Sequence, residues 1–127
     1  VIDQLTSGHS ARPVSPALPS VAFTAPPIAR VGLLESEARS RGLACDVRAG
    51  DMSRWNSVRK SGGAGGAYKI LVDPGTDRIL GAHLLGPGVE ETINLFALAM
   101  QERVTASTLR TMPLAFPTHA SDVGSML

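Results

Sequence analysis

The chain has 127 residues, of which 43% are hydrophobic and 18% charged, and a net charge of +1. That is the composition of one ordinary soluble globular domain, long enough to bury roughly two thirds of its unfolded surface. Its scattered Lys and Arg, interleaved with Asp and Glu, leave no general field for nucleic acid or acidic lipid, and no apolar run approaches the roughly 18 residues of a membrane span.

Residues 1–19 lack periodicity. Pro13, Pro16 and Pro19 recur every third position, which favours an extended connector, and Val1 to Leu5 read as the end of a helix that stops at Gly8. The first residue is Val1 rather than Met, and the chain is read as a segment of something longer. No signal-peptide pattern is visible.

Val21-Ala22-Phe23-Thr24 is a short strand ended by Pro26-Pro27. Residues 28–33 form a second strand, with Ile28 and Arg30 on one face and Ala29, Val31 and Leu33 on the other. Residues 35–41 read as a helix, acids first and bases last, with Gly42 as its C-terminal cap. Residues 43–48 are a third strand. It carries Cys45, the only cysteine, read as a small apolar filler. One thiol forms neither an internal disulfide nor a redox pair, which suits a reducing cytoplasm.

Between Asp51 and Gly66 the pattern fails. Met52 and Trp55 suggest one helical turn, and the glycine-rich run 61–66 a flexible loop. Residues 67–72 and 78–85 flank Asp73-Pro74-Gly75-Thr76-Asp77, the signature of an antiparallel hairpin. Gly86-Pro87-Gly88 ends it. A helix follows from Val89 to about Gln101, with Glu90 and Glu91 at its positive end. Val89, Ile93, Phe96 and Met100 share a face, and Leu95, Leu98 and Ala99 cover much of the rest. So apolar a helix is expected to bury more than one side, against the sheet and against a partner subunit. A short helix at 106–110 precedes Met112-Pro113 and a weakly helical tail. The sum is an α+β fold: an antiparallel sheet of about five strands with helices packed on one face.

Catalytic motifs are sparse. His9, His83 and His119 have no second ligand at metal-binding spacing, and His83 reads as a satisfied sheet histidine beside Ile79 and Leu85. Lys60 precedes the glycines of 61–66 rather than following them, so the run is no phosphate loop. The G-x-S-x-G elbow and the dinucleotide glycine spacing are both absent. What remains is His119, Ser121 and Asp122. A His with a carboxylate three residues on is a candidate acid–base pair, although a solvated tail is the preferred reading.

Four blocks in order carry a resemblance. They are Pro19-Ser20-Val21-Ala22-Phe23-Thr24-Ala25-Pro26, then Val31 to Ala38, then Tyr68 through Asn94, and last Phe116-Pro117-Thr118 with Ser121-Asp122. Over about residues 18–123 the chain resembles the C-terminal dimerisation domain of the pyridine nucleotide-disulfide oxidoreductases, such as glutathione reductase, dihydrolipoamide dehydrogenase and mercuric reductase.

The resemblance implies a homodimer, FAD and NAD(P) domains upstream on the same polypeptide, and a last segment reaching the partner's flavin. Residues 1–18 would be the linker and the end of the FAD domain, and 19–127 the dimerisation domain. The intact parent would be an FAD-dependent, NAD(P)-linked oxidoreductase. This chain alone is expected to be inactive, to bind no cofactor or metal, and to bind neither nucleic acid nor membrane. The expected interface is Ile93, Phe96, Ala97, Met100, Met112 and Phe116, with Pro117 and Thr118 near the partner's flavin. Two positions depart from the family. Phe116 stands where disulfide reductases have a proton-handling His, which points to a parent that reduces something other than a disulfide; His119 and Asp122 are the only substitutes nearby. Leu34 stands where a helix-capping Thr is usual, a loss of about 1 kcal/mol. The rival reading is a stand-alone interaction module of the same fold, without flavin chemistry.

Overall fold

Alternating apolar residues build the sheet. In the computed structural model, which describes residues 17–62 and 65–127, β1 (Ser20–Ala22), β2 (Ile28–Gly32), β3 (Asp46–Asp51), β4 (Ala67–Val72) and β5 (Ile79–Leu85) pair in the order β1-β2-β5-β4-β3. All four ladders are antiparallel. The helices are α1 (Glu35–Ser40), α2 (Asn56–Lys60), α3 (Val89–Gln101), α4 (Ala106–Thr111) and α5 (Val123–Met126), the last preceded by a 3-10 turn at Ala120–Asp122. The connector expected over residues 1–16 and the middle of the glycine run, 63–64, lie outside the described residues.

β1, expected over residues 21–24, spans Ser20–Ala22, and two further elements differ from expectation. The third strand begins at Asp46 rather than Leu43 and runs to Asp51. Leu43 belongs to the end of α1: its amide donates to Ala38 at 3.0 Å and that of Gly42, at φ +67°, to Arg39 at 3.0 Å. This is a Schellman closure, with glycine at the left-handed position as the sequence required. Cys45 therefore lies half-buried just outside β3, not on a strand. The second difference is α2, a five-residue helix in the stretch without periodicity. Val58 is its only buried residue, so it offers no stripe to read.

Ala29, Val31, Ile70, Val72, Ala82 and Leu84 line one face of the sheet, and α3 covers them with Val89, Ile93, Phe96 and Ala99. Leu109, Val123 and Met126 close the same core. Each fully buried side chain of this size contributes about 1.5–3 kcal/mol. A bulge in the β4–β5 ladder pairs Leu71 with Gly81 and Val72 with Ile79, skipping Leu80. The extra residue reverses the alternation. Ile79, expected beside His83, is thus turned into the α3 face and is 4% exposed.

The opposite face carries His83, Lys69 and the fully buried Leu71, with α1 above them. His83 Nε2 donates to the Leu33 carbonyl at 3.0 Å, and since a carbonyl only accepts, Nε2 carries the proton. This is the satisfied sheet histidine expected. Lys69, hydrogen-bonded to Glu35 at 3.1 Å, and then Arg39 hold the Glu35 carboxyl below its usual range.

The hairpin turn organises the next helix as well. Asp73 accepts from the Gly75 amide at 2.8 Å and from Thr76 Oγ1 at 2.9 Å. Asp77, left-handed at φ +55°, offers its carbonyl to the Ala106 amide at 2.8 Å and its carboxylate to Ser107 at 2.9 Å. It caps the start of α4 from 30 residues away. These hydrogen bonds, chiefly from Gly75 to Asp73 and from Ser107 to Asp77, hold both carboxyls below their usual range.

Candidate interface and the C-terminal tail

The outer side of α3 is formed by Glu91, Asn94, Leu98 and Gln101, all exposed, Leu98 by 57%. Beyond α4 the chain leaves regular structure. Met112 and Phe116 are exposed, Phe116 by 81%, while Leu114 packs back against the core. The Phe116–Pro117 peptide is cis.

Residues 115–121 then lock onto themselves. The Thr118 amide donates to Ser121 Oγ at 3.2 Å and the Ser121 amide to Thr118 Oγ1 at 3.2 Å, a reciprocal capping pair around the 3-10 turn. Thr118 Oγ1 donates to the Ala115 carbonyl at 2.6 Å. Its hydroxyl is therefore committed within the tail.

His119 and Asp122 have different partners. The His119 ring lies over Gly88, the left-handed residue before α3 at φ +76°, where a Cβ would come within 2.3 Å of the imidazole. Its Nε2 is 3.2 Å from Ser61 Oγ. The Asp122 carboxylate accepts from Ser57 Oγ. Each side chain is thus held by α2 or the residue that ends it, not by the other as an acid–base pair requires.

The expected interface residues divide. Ile93 and Phe96 are 0% exposed and belong to the chain's own core, so they have no surface to offer a partner. Their spacing made them one stripe, and the sheet takes that stripe whole. Ala97 and Met100 are half-buried, the Met100 methyl lying where a Cβ on Gly32 would stand. Met112, Phe116, Pro117 and Thr118 are exposed. Leu98 is the outward apolar residue that the expectation left out; it falls opposite the buried stripe. Ser57, Ser61 and Gly88 were also missed, because their role depends on a distant tail: Ser57 is 65 residues from Asp122 and Ser61 is 58 from His119, the residue that also lies over Gly88.

Among the described residues no group of three or more His, Cys, Asp or Glu is arranged to hold a metal ion. Nor is any described helix long and apolar enough to cross a membrane. The tail presents an exposed phenyl ring and hydroxyls already engaged within it.

The family described as pyridine nucleotide-disulphide oxidoreductase, dimerisation domain, matches residues 18–127. An uncharacterised 19.7 kDa protein of a mercuric resistance operon in Staphylococcus aureus is 36% identical over the whole chain, which spans 71% of that protein. Human mitochondrial dihydrolipoyl dehydrogenase is 34% identical over 80% of the chain, corresponding to 20% of the enzyme. Among solved structures, the HOCl-induced flavoprotein disulfide reductase RclA of Escherichia coli superposes with a TM-score of 0.88 at 27% identity, over 98% of this chain and 29% of that one. LpdA of Mycobacterium tuberculosis, at 22% identity and a TM-score of 0.83, shares the fold. The chain thus spans under a third of the reductases it matches.

Proposed function

The chain belongs to the dimerisation-domain family of the pyridine nucleotide-disulphide oxidoreductases, and on that premise we propose that it builds a two-fold homodimer within a longer FAD- and NAD(P)-linked oxidoreductase and closes the partner's active site with its tail. The observation that carries this is the exposure of Leu98 on the outer side of α3 and of Met112 and Phe116 beyond α4, three of the large apolar side chains that the fold leaves exposed, Phe23 and Leu18 being others. A contiguous exposed apolar patch marks a contact site, and the dimer reading requires these side chains to form one.

In this reading residues 1–18 belong to the linker and the end of an FAD domain, and the flavin is held by that domain. This chain's share is to exclude water from the flavin's edge with Phe116, Pro117 and Thr118. Phe116 holds no proton, and His119 is seated inward over Gly88. The pair expected to serve a dithiol is therefore not supplied from this tail, which favours a parent whose electron acceptor is not a disulfide. A cytoplasmic location, without nucleic-acid or membrane partners, accords with the lone cysteine and near-neutral charge.

The test is sedimentation across a dilution series, together with the mass and visible spectrum of the native gene product. A dimer and a yellow protein several-fold longer are expected. A colourless protein that stays monomeric at high concentration would overturn the reading.

A second reading is favoured by one observation. The S. aureus relative is only 19.7 kDa, and this chain spans 71% of it. A stand-alone interaction module of this fold, free of flavin chemistry, fits a relative of that size. It gives a colourless dimer in the same experiments.

A further inference from the structure

We propose that α2 is the positioning element of the C-terminal tail: Ser57 and Ser61 hold Asp122 and His119 and so set the direction in which Phe116 leaves the domain. The inference rests on the homodimer reading for its consequence, since a fixed direction matters only where the tail meets a partner.

The hydrogen bonds run in two branches that meet at Ser57, one on its carbonyl and one on its hydroxyl. Ser61 Oγ lies 2.9 Å from the Ser57 carbonyl and 3.2 Å from His119 Nε2. A carbonyl only accepts, so the single Ser61 hydroxyl proton goes to Ser57, and Nε2–H of His119 donates to Ser61 Oγ. Ser57 Oγ in turn donates to the Asp122 carboxylate, a charge-assisted bond. Both attachments therefore converge on Ser57, one helical turn before Ser61. Gly88 supplies the seat, since any side chain there would displace the imidazole.

The attachments add to the hold of Leu114, which packs half-buried against the core just before the segment. Residues 115–118 are exposed, and the nearest buried side chains are Leu109 before them and Val123 after them. The local Thr118–Ser121 pair shapes the turn but does not tie it to the domain. Ser57 and Ser61 do, through Asp122 and His119.

The experiment uses the full 127-residue chain. Amide hydrogen exchange is followed at Thr118 and Ser121, and the dimer dissociation constant is measured by sedimentation, for the unaltered chain, Ser57→Ala, Ser61→Ala and Ser57→Thr. In Ser57→Ala, exchange at these amides rises about tenfold and the dissociation constant rises about tenfold, the equivalent of one charge-assisted hydrogen bond. Exchange in β4 and β5 stays unchanged, and Ser57→Thr, which keeps the hydroxyl, restores both readouts. Unchanged exchange at Thr118 and Ser121 in both alanine variants would overturn the proposal, as would faster exchange with an unaltered dissociation constant. If the unaltered chain stays monomeric, the homodimer reading fails and the consequence drawn here for Phe116 fails with it. Exchange in the monomer then still separates an anchored tail from a free one.

Discussion

Gly32 lies directly opposite Gly81 in the β2–β5 ladder, and neither position has room for a side chain. A Cβ on Gly81 would stand 2.2 Å from the Leu33 carbonyl oxygen, and one on Gly32 2.4 Å from that of Leu80. The obstacles are backbone atoms, which cannot rotate aside.

Gly81→Ala is therefore expected to destabilise the domain by about 2–4 kcal/mol, through strain in the central ladder. A urea titration should show a lower midpoint with an unchanged slope. A midpoint within error of the parent's would mean that the strands can separate at no cost.

Leu34→Thr is expected to have the opposite effect. Leu34 occupies the N-cap of α1 in extended conformation, φ −73° and ψ 153°, and its amide already donates to Glu37 Oε2 at 2.7 Å. Half of a capping box is in place, and leucine has no acceptor for the other half. Threonine would complete it and add about 1 kcal/mol. Thermal unfolding gives the measure, with a rise of several degrees expected for a domain of this size.

Phe96 and Phe116 should separate folding from association. Phe96 is 0% exposed, so Phe96→Ala is expected to cost about 3–5 kcal/mol of stability. Phe116 is 81% exposed, so Phe116→Asp should change stability by no more than about 0.5 kcal/mol while weakening the dimer at least about tenfold. Denaturation and sedimentation of the same two variants make the comparison. A dimer indifferent to Phe116→Asp would remove the tail from the interface.

Acid should loosen the turn that caps α4. The folded state lowers the Asp77 carboxyl below its ordinary value of 3.8. Its contribution is thus fully present above that value and is lost as pH falls through the lower folded one. Asp77→Asn keeps the acceptor for Ser107 and tolerates the left-handed backbone, but cannot titrate. The variant should be less stable than the parent at pH 7, and the gap should be narrower at a pH well below 3.8. Urea midpoints at the two pH values test this. A gap that is constant with pH would mean that the charge contributes nothing.

Much of this architecture could be read from local pattern. The hairpin at 67–85, the long helix and the Gly42 cap each depend on residues within a few positions of one another. The errors arose where distant contacts decide. Nothing local to Leu71 or Leu80 announces a bulge, yet it moves Ile79 to the other face of the sheet. The apolar stripe through Ile93 and Phe96 shows burial but does not say against what. Ser57 and Ser61 resemble any serines on a surface helix until the tail is folded beside them.

The strand order has a consequence for synthesis. β2 is made early, yet its inner partner is β5, so Ile28 waits for Leu85 to emerge before it can pair. Until then the ribosome presents β1 and β2 as a ribbon of two strands, too small to be stable alone. Its apolar face, Ala29 and Val31, stays open for the time taken to translate the intervening residues. The nascent chain is most vulnerable to aggregation in that interval. It ends when β5 emerges and joins the two halves of the sheet in one step.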